Sequence, residues 1–199
     1  MININNYEIL KNNLSTLKEI SKDDSETIVE YMTKSILPVV NFDGVKTEYL
    51  KSFHLSDELA KSCDGLLCLN NKDILIEFKN GKTIKPSEIM IKIKESLLLL
   101  TAIITANEIS EIKNKGAFIL VYNNNKNPIP KQEIKQKGIQ ESPSRDSLIK
   151  YSLKIGGKEF IRYDLEKFDK FFNEVHTYCQ EEFEEYIKKF EIKKESLKK

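Results

Sequence analysis

The chain has few cysteines, no long apolar run and almost no net charge. The first two shortages argue against a disulfide-rich protein and a membrane-spanning protein. Its 3 cysteines are an odd number, which argues against a disulfide framework. No apolar run is long enough to span a bilayer, and the first residues, MININNYEILKNN, lack the basic and apolar regions of a signal peptide. The 32 basic and 31 acidic residues leave a net charge of +1. These absences predict a cytoplasmic protein with no membrane segment.

The residues that are present suit a folded domain. Of the 199 residues, 40% are hydrophobic, which is enough for a core, and 32% are charged. This length fits one domain, or one domain with a C-terminal extension. The sequence shows no internal repeat. The fold must therefore be inferred from the order of its predicted elements.

The most informative segment is Cys63–Lys79, CDGLLCLNNKDILIEFK. Asn70-Asn71 lies between two apolar runs, and asparagine tolerates the positive φ that a tight hairpin turn requires. A two-residue loop at this point pairs Leu69 with Lys72. The segment is therefore predicted to be a β-hairpin, with its register counted from that pair.

This register places Asp64 opposite Glu77, and strand alternation puts Lys79 on the same face. Directly opposed side chains have Cβ atoms roughly 4.5–5.5 Å apart, and like charges so placed are destabilising. A four-residue loop would instead set Asp64 opposite Lys79 and keep the three charges on one face, whereas a three-residue loop would break the arrangement. The other face carries apolar, core-facing side chains: Leu67, Leu69, Ile74, Ile76 and Phe78.

Two opposed carboxylates with a lysine beside them are typical of a divalent-metal site next to a phosphate. Mg²⁺ takes oxygen ligands at about 2.0–2.1 Å and is commonly held by one or two carboxylates plus a substrate phosphate. A neighbouring lysine can orient or deprotonate an attacking water, or neutralise charge on the phosphate. The alternative is a solvated hairpin with a surface salt bridge between Glu77 and Lys79.

The pattern of Asp64, 12 intervening residues and Glu77-Phe78-Lys79 resembles the PD-(D/E)XK nuclease superfamily. The resemblance covers residues 23–122 and implies the order helix, three antiparallel strands, helix, strand. It implies that Asp64 and Glu77 are metal ligands and that Lys79 is the catalytic lysine. Cys63 stands where the name of the superfamily has proline.

The segment before the hairpin is predicted to supply the first helix and strand of that order. The helix runs from Asp23, Asp24 or Ser25 to Pro38, with an apolar stripe of Ile28, Val29, Met32 and Ile36. In several relatives a glutamate of this helix completes the metal site, so Glu26 is a candidate third acid; the alternative is a solvated acid. The first strand is predicted within Thr47–Leu55.

The segment after the hairpin is predicted to be a helix followed by a buried strand. Pro86 suits the first turn of the helix. Lys92 and Glu95 lie on one stripe of it, where the superfamily often has a polar residue directed at the site; the alternative is a surface pair. The apolar run Ala117–Tyr122 predicts a strand reached by a helical crossover. Apolar side chains down one side of the helix predict burial against the sheet: Ile89, Ile93, Leu97, Leu100 and Ile104.

The segment Lys113–Lys137 is the most basic part of the chain. It contains 6 lysines and 1 acid. Lys131 and Lys135 are therefore candidate contacts for nucleic-acid phosphates, the alternative being a solvated loop. Between residues 164 and 191, by contrast, 9 acids outnumber 4 lysines, which makes this region a poor surface for nucleic acid.

The C-terminal region is predicted to contain one strand and two helices. Glu159–Tyr163 has the composition of a strand. Asp164 is predicted to cap the first helix, and Thr177 with Gln180 forms a capping box for the second. The aromatic stripes of these helices are predicted to pack in the core, or to contact a protein partner or a second copy in a homodimer.

Taken together, these patterns predict an α/β fold: a restriction-endonuclease-like mixed sheet flanked by helices, with C-terminal helical elaboration. Residues 1–22 are predicted to be an N-terminal helical extension, residues 23–163 the core, and residues 164–199 C-terminal helices packed on it. The predicted function is phosphodiester hydrolysis with Mg²⁺ or Mn²⁺. The resemblance to the superfamily favours DNA over RNA as the substrate.

Two further readings of the sequence stay open. A role in mobile-element defence or in a toxin system would suit a small standalone nuclease. The alternative function is a non-catalytic protein-interaction module on the same scaffold. The near-neutral charge and the acidic C-terminal region favour that alternative.

Overall fold

The computed structural model describes residues 1–25, 27–104, 109–128 and 161–196. The strands within these ranges are Leu14–Thr16 (β1), Lys22–Asp23 (β2), Glu30–Tyr31 (β3), Pro38–Asn41 (β4), Gly65–Leu69 (β5), Lys72–Lys79 (β6), Gly116–Tyr122 (β7) and Glu174–Cys179 (β8). The α-helices are Glu8–Asn12 (α1), Leu17–Ile20 (α2), Phe42–Ser52 (α3), Pro86–Ile104 (α4), Ile109–Lys115 (α5) and Gln180–Ser196 (α6). Short 3₁₀ helices cover Ile4–Asn6, Asp57–Leu59 and Leu165–Lys170.

Six of these strands form one mixed sheet in the order β1-β4-β5-β6-β7-β8. The pairs β1–β4, β4–β5 and β5–β6 are antiparallel, whereas β6–β7 and β7–β8 are parallel. β2 and β3 form a separate two-stranded sheet. The prediction of an α/β fold with a mixed sheet is therefore confirmed.

The sheet separates two apolar cores. On the side we call the α4 face, Leu66 and Leu75 pack with Ile89 and Ile93 of α4. On the opposite side, the α6 face, the strands pack against α2 and α6: Leu67, Ile74, Ile76, Leu17, Phe183 and Ile187 share one cluster. Every residue of β7 is buried, as expected for a strand covered on both faces.

The hairpin has the predicted turn and register. Leu69 pairs with Lys72, and Gly65 pairs with Ile76. Asn70 and Asn71 have positive φ values of 49° and 63°, the conformation that asparagine accepts more readily than most residues. The helix and strand that follow are also confirmed, since α4 begins at Pro86 and β7 covers Gly116–Tyr122.

The helix predicted between Asp23 and Pro38 is wrong. The start of this segment and its middle, Glu30–Tyr31, form the short antiparallel pair β2–β3 instead, and Pro38 begins β4. The apolar stripe has the spacing of a helix, but Ile28 and Ile36 are each 76% exposed, so no apolar surface covers such a stripe. Met32 alone of the four predicted positions is buried, at 2% exposure.

The strand predicted within Thr47–Leu55 is also wrong, because this segment belongs mostly to α3. The side chain of Asn41 accepts a hydrogen bond from the Gly44 N–H at 3.2 Å, which caps the helix N-terminus. Phe42, Val45 and Leu50 then lie on its buried side, a helical spacing. The cap and this spacing outweigh the strand-like composition.

The C-terminal region contributes a strand as well as helical turns. Asp164 makes no capping hydrogen bond and precedes a 3₁₀ helix rather than an α-helix. Thr177 lies within β8, so the predicted capping box is wrong; α6 begins at Gln180, where Glu182 accepts the Cys179 N–H at 2.8 Å. Of the strand predicted at Glu159–Tyr163, residues 161–163 are described and are not in a strand.

The sheet extends beyond the predicted core, residues 23–163. β1 lies within the predicted N-terminal extension and β8 within the predicted C-terminal helices, and both belong to the six-stranded sheet. Among the helices in the described ranges, none has the length and apolar character to cross a membrane. Cys63, Cys68 and Cys179 all lie in the described ranges and form no disulfide with one another.

Candidate active site

Asp64 and Glu77 meet at the open end of the hairpin. Gly65 pairs with Ile76, so the next position outward brings Asp64 opposite Glu77. The Asp64 backbone carbonyl accepts the Phe42 N–H at 3.0 Å. Its side-chain Oδ2 accepts the Phe78 N–H at 2.6 Å. The Phe42 N–H of α3 thus fixes the Asp64 backbone, and the Phe78 N–H of β6 fixes its carboxylate.

Glu77 is a fully buried acid beside a lysine. Its exposed fraction is 0%, while the side chain of Lys79 is 25% exposed. Lys79 Nζ lies 2.7 Å from Glu77 Oε1. The predicted three-residue constellation is thus assembled on the α4 face of the sheet.

Lys92 reaches the same carboxylates from α4. Its Nζ lies 2.7 Å from Glu77 Oε1 and 3.4 Å from Asp64 Oδ1. The Lys92 side chain is 20% exposed, so most of it lies beneath the protein surface. The structure therefore brings Lys92, a candidate on the predicted helix, into the centre of the site, between the two acids.

The second oxygen of Glu77 has no partner in the described part of the chain. Glu77 Oε1 makes the two ion pairs, but neither Oε1 nor Oε2 has a well-directed hydrogen bond among the described residues. A buried carboxylate oxygen without a donor is costly. A bound cation would remove that cost, so Oε2 is a fitting ligand atom.

Burial and like charge raise the proton affinity of Asp64. Burial is the larger cause and the Glu77 carboxylate the next, and together they raise the pKa of Asp64 to about 7, against the opposing effects of Lys92 and the Phe78 N–H. Burial also acts to lower the pKa of Lys92, but attraction to Asp64 and Glu77 is stronger, so its pKa is raised. Lys92 is therefore an ammonium at neutral pH.

Helix α4 also holds the segment that leads into Asp64. Glu95 Oε2 accepts the Lys61 N–H at 2.5 Å, and Ser96 Oγ accepts the Cys63 N–H at 2.8 Å. Glu95, the other candidate on this helix, thus contacts backbone ahead of Asp64 and makes no described contact with either carboxylate. The remaining predicted site residues, Glu26, Lys131 and Lys135, lie outside the described residues.

Asp43 is a nearby acid that the sequence patterns did not indicate. It lies in the first turn of α3, and its Oδ1 accepts a hydrogen bond from Ser62 Oγ. Its charge contributes to the raised pKa of Lys92. The available signal was the Asn41 cap, because an acid in the first turn after an N-cap is favoured by the helix dipole.

The chain matches no family model, no curated protein and no solved structure.

The donor set fits a hard divalent cation that keeps some water ligands. In the described residues no group of three His, Cys, Asp or Glu side chains is placed to hold a metal ion. Mg²⁺ commonly uses only one or two carboxylates, with waters and substrate phosphate as its other ligands. Asp64 and Glu77 supply two carboxylates, and Glu77 Oε2 lacks any described hydrogen bond. These residues therefore suit Mg²⁺ or Mn²⁺ better than a cation that requires a full protein cage.

Proposed function

We propose that the chain is a divalent-metal-dependent nuclease that hydrolyses phosphodiester bonds, with DNA preferred to RNA. The observation that carries the proposal is the meeting of Asp64, Glu77 and Lys79 on one face, with Glu77 Oε2 buried and without a described partner. Acids of this kind are needed where a cation and a phosphate bind together. DNA is preferred on the resemblance alone.

The order of elements around the site supports a restriction-endonuclease-like core. β4, β5 and β6 run antiparallel, α4 follows, and β7 lies parallel to β6. This is the order three strands, helix, strand that the resemblance implies. Helix α3, between β4 and β5, departs from it.

The roles of the side chains follow from their positions. Asp64 and Glu77 would hold Mg²⁺ or Mn²⁺, which supplies charge neutralisation and a more acidic bound water. Lys79, 25% exposed and one strand position beyond Glu77 on the same face, can hold an attacking water or contact the phosphate. Phe78 contributes its backbone N–H, which fixes the Asp64 carboxylate.

Nucleic acid is the first of the proposed partners. Nucleic-acid phosphates would contact the basic segment Lys113–Lys137, in which Lys113 and Lys115 are described and exposed. The aromatic and aliphatic stripe of the C-terminal region packs in the chain's own core through Phe172, Phe183 and Ile187, which are at most 1% exposed. A homodimer or protein partner would therefore have to use other side chains of that region, such as Phe171, which is 39% exposed.

The proposal is tested by cleavage of plasmid, linear and single-stranded DNA and of RNA, with Mg²⁺, Mn²⁺ or EDTA. Asp64→Asn and Glu77→Gln should abolish cleavage and eliminate the Mn²⁺ site seen by calorimetry. Glu88→Gln is the matched control, because Glu88 is an acid of α4 that pairs with Lys85 and whose side chain is 44% exposed. A wild type that binds no metal and cleaves none of these substrates contradicts the proposal.

A second function is favoured by the charge balance of the site. Two acids and two lysines compensate one another in the described contacts. Such a cluster could also stabilise a non-catalytic interaction module built on the same scaffold. Mn²⁺ calorimetry separates the two functions, because an interaction module has no use for a metal at Asp64 and Glu77.

A further inference from the structure

We propose that Lys92 is an internal counter-cation and that a divalent metal must displace its ammonium from between Asp64 and Glu77. The inference rests on the proposed function, because it concerns the same two carboxylates. It goes further by assigning Lys92 the control of metal entry.

The ammonium of Lys92 already lies between the two acids. Within the described part of the chain, Lys92 is the residue whose ammonium contacts both acids, at 2.7 Å from Glu77 Oε1 and 3.4 Å from Asp64 Oδ1. Lys79 contacts Glu77 alone, at 2.7 Å. The space between the two carboxylates is thus already held by a positive group.

A metal ion held by both acids competes with Lys92 for the same position. A metal bound to carboxylate oxygens lies about 2.0–2.1 Å from them. A cation held by both Asp64 Oδ1 and Glu77 Oε1 would need the region that Lys92 Nζ fills, whereas a cation held through Glu77 Oε2 alone would not. The ammonium and the metal cannot share that position, and their like charges repel strongly in a site with little water.

The Lys92 side chain can leave the site more easily than the carboxylates of Asp64 and Glu77. Glu77 is 0% exposed and belongs to a central strand, and Asp64 is fixed by the Phe78 N–H. Lys92 ends a flexible side chain, 20% exposed, on the surface helix α4. The lysine can withdraw toward water without moving the backbone, whereas the acids cannot. Metal binding should therefore release Lys92 from the carboxylates.

The test is Mn²⁺ affinity measured by calorimetry on four proteins: wild type, Lys92→Met, Lys92→Arg and Lys94→Met. Lys92→Met removes the competing charge but keeps the alkyl chain, so its Mn²⁺ affinity should rise about 10-fold, within the usual range of coupling between two ligands. Lys92→Arg keeps a cation and should bind Mn²⁺ no more tightly than the wild type. Lys94 is exposed on the same helix and should have no effect.

The outcomes separate this inference from the proposed function. Equal or weaker Mn²⁺ binding by Lys92→Met overturns the displacement while the metal site stands, and would indicate a metal bound through Glu77 Oε2 alone. Binding by Lys92→Met but not by the wild type supports the displacement and contradicts a metal-loaded native enzyme. Absence of binding in both proteins overturns both proposals.

A second measurement needs no substitution at Lys92. Pulse acetylation of the wild type, read by mass spectrometry, reports how accessible each lysine amine is. Mg²⁺ alone should increase acetylation of Lys92 several-fold, because the amine leaves the carboxylates, and should leave Lys94 unchanged. If Mg²⁺ binds by calorimetry and acetylation of Lys92 stays constant or falls, the displacement is wrong.

Discussion

Lys79 and Asn80, adjacent residues at the end of β6, belong to two different polar clusters, one of ion pairs and one of amide hydrogen bonds. Lys79 belongs to an ionic cluster with Asp64, Glu77 and Lys92 on the α4 face. Asn80 belongs to what we call the amide cluster, which lies toward β2 and β3 and includes Asp23, Glu30, Asn80, Asn123 and Lys126. Both clusters contain two acids, but only the ionic cluster has a buried carboxylate oxygen without a described hydrogen bond.

The amide cluster satisfies its polar groups with directed hydrogen bonds. Asn80 Nδ2 donates to Asp23 Oδ2 at 2.8 Å and to Glu30 Oε2 at 2.6 Å. Asn80 Oδ1 accepts from Asn123 Nδ2 at 2.8 Å. These bonds fasten the β2–β3 pair to the ends of β6 and β7. The cluster therefore has a structural role that needs no bound cation.

The pKa values of Asp23 and Glu30 in the amide cluster and of Asp64 in the ionic cluster are shifted in opposite directions. Hydrogen bonds from Ser25 and then Asn80 lower the pKa of Asp23. The Asn80 amide, followed by Lys126, lowers the pKa of Glu30. Burial and Glu77 instead raise the pKa of Asp64 to about 7. Directed donors favour the charged form of Asp23 and Glu30, whereas burial beside Glu77 disfavours the charged form of Asp64 despite the hydrogen bond from the Phe78 N–H.

The largest effect that would sharpen this comparison is expected at Lys79. Lys79→Ala should reduce Mg²⁺-dependent cleavage on the order of 10²–10³-fold, because stabilisation of transition-state charge is lost. Lys92 still pairs with Glu77 in this variant, so the protein should stay folded and should still bind Mn²⁺. Exposed Lys82 provides the matched control, as Lys82→Ala. An active wild type with an equally active Lys79→Ala would remove Lys79 from the mechanism.

The next effect is the pH dependence of stability that Asp64 produces. Its pKa is about 7 in the fold and about 3.9 in an unfolded chain, so the folded protein binds the extra proton between these values. The free energy of unfolding should therefore fall as pH rises from about 4 to 7, by about 2–4 kcal/mol. Urea denaturation in EDTA measures this fall.

Asp64→Asn should remove most of that fall, because the amide does not titrate. The matched comparison is Asp23→Asn. The pKa of Asp23 is lowered in the fold, so its contribution is present above its unfolded pKa and is lost as pH decreases further. Identical pH profiles for the two variants would show that the clusters do not differ as described.

A smaller effect is expected from breaking the amide cluster. Asn80→Ala leaves Asp23, Glu30 and Asn123 without their amide partner, and Asn80 is 7% exposed. Loss of buried hydrogen bonds of this kind costs about 1–3 kcal/mol of stability. Chemical denaturation measures the cost, and cleavage by the folded variant should remain. Loss of cleavage in a folded Asn80→Ala protein would give this cluster a functional role.

The smallest effect is expected at the rim of the amide cluster. Lys126 Nζ lies 3.1 Å from Glu30 Oε2, and the Glu30 side chain is 50% exposed. The Lys126 side chain is 21% exposed, and ion pairs that solvent reaches contribute little to stability. Lys126→Met should leave the urea midpoint within experimental scatter. A clear loss of stability would mean that charge, and not the amide network, holds β2 and β3 in place.

The sequence by itself determined the parts of the fold that depend on a few adjacent residues. Asn70-Asn71 tolerates the positive φ of a tight turn, so the hairpin register and the meeting of Asp64 with Glu77 could be predicted. Pro86 marks the start of α4, and an unbroken apolar run marks β7. In each case the signal lies within the element, because turn chemistry and burial act locally.

Tertiary structure decided the rest, because short elements depend on what covers them. The stripe containing Ile28 and Ile36 has helical spacing but finds no apolar surface, and both residues are 76% exposed. β8 is a strand because it pairs with β7, more than 50 residues earlier in the chain. Lys92 is indistinguishable by type from Lys94, the other lysine of its helix. Only the packing of α4 on the sheet brings its ammonium to within 2.7 Å of Glu77.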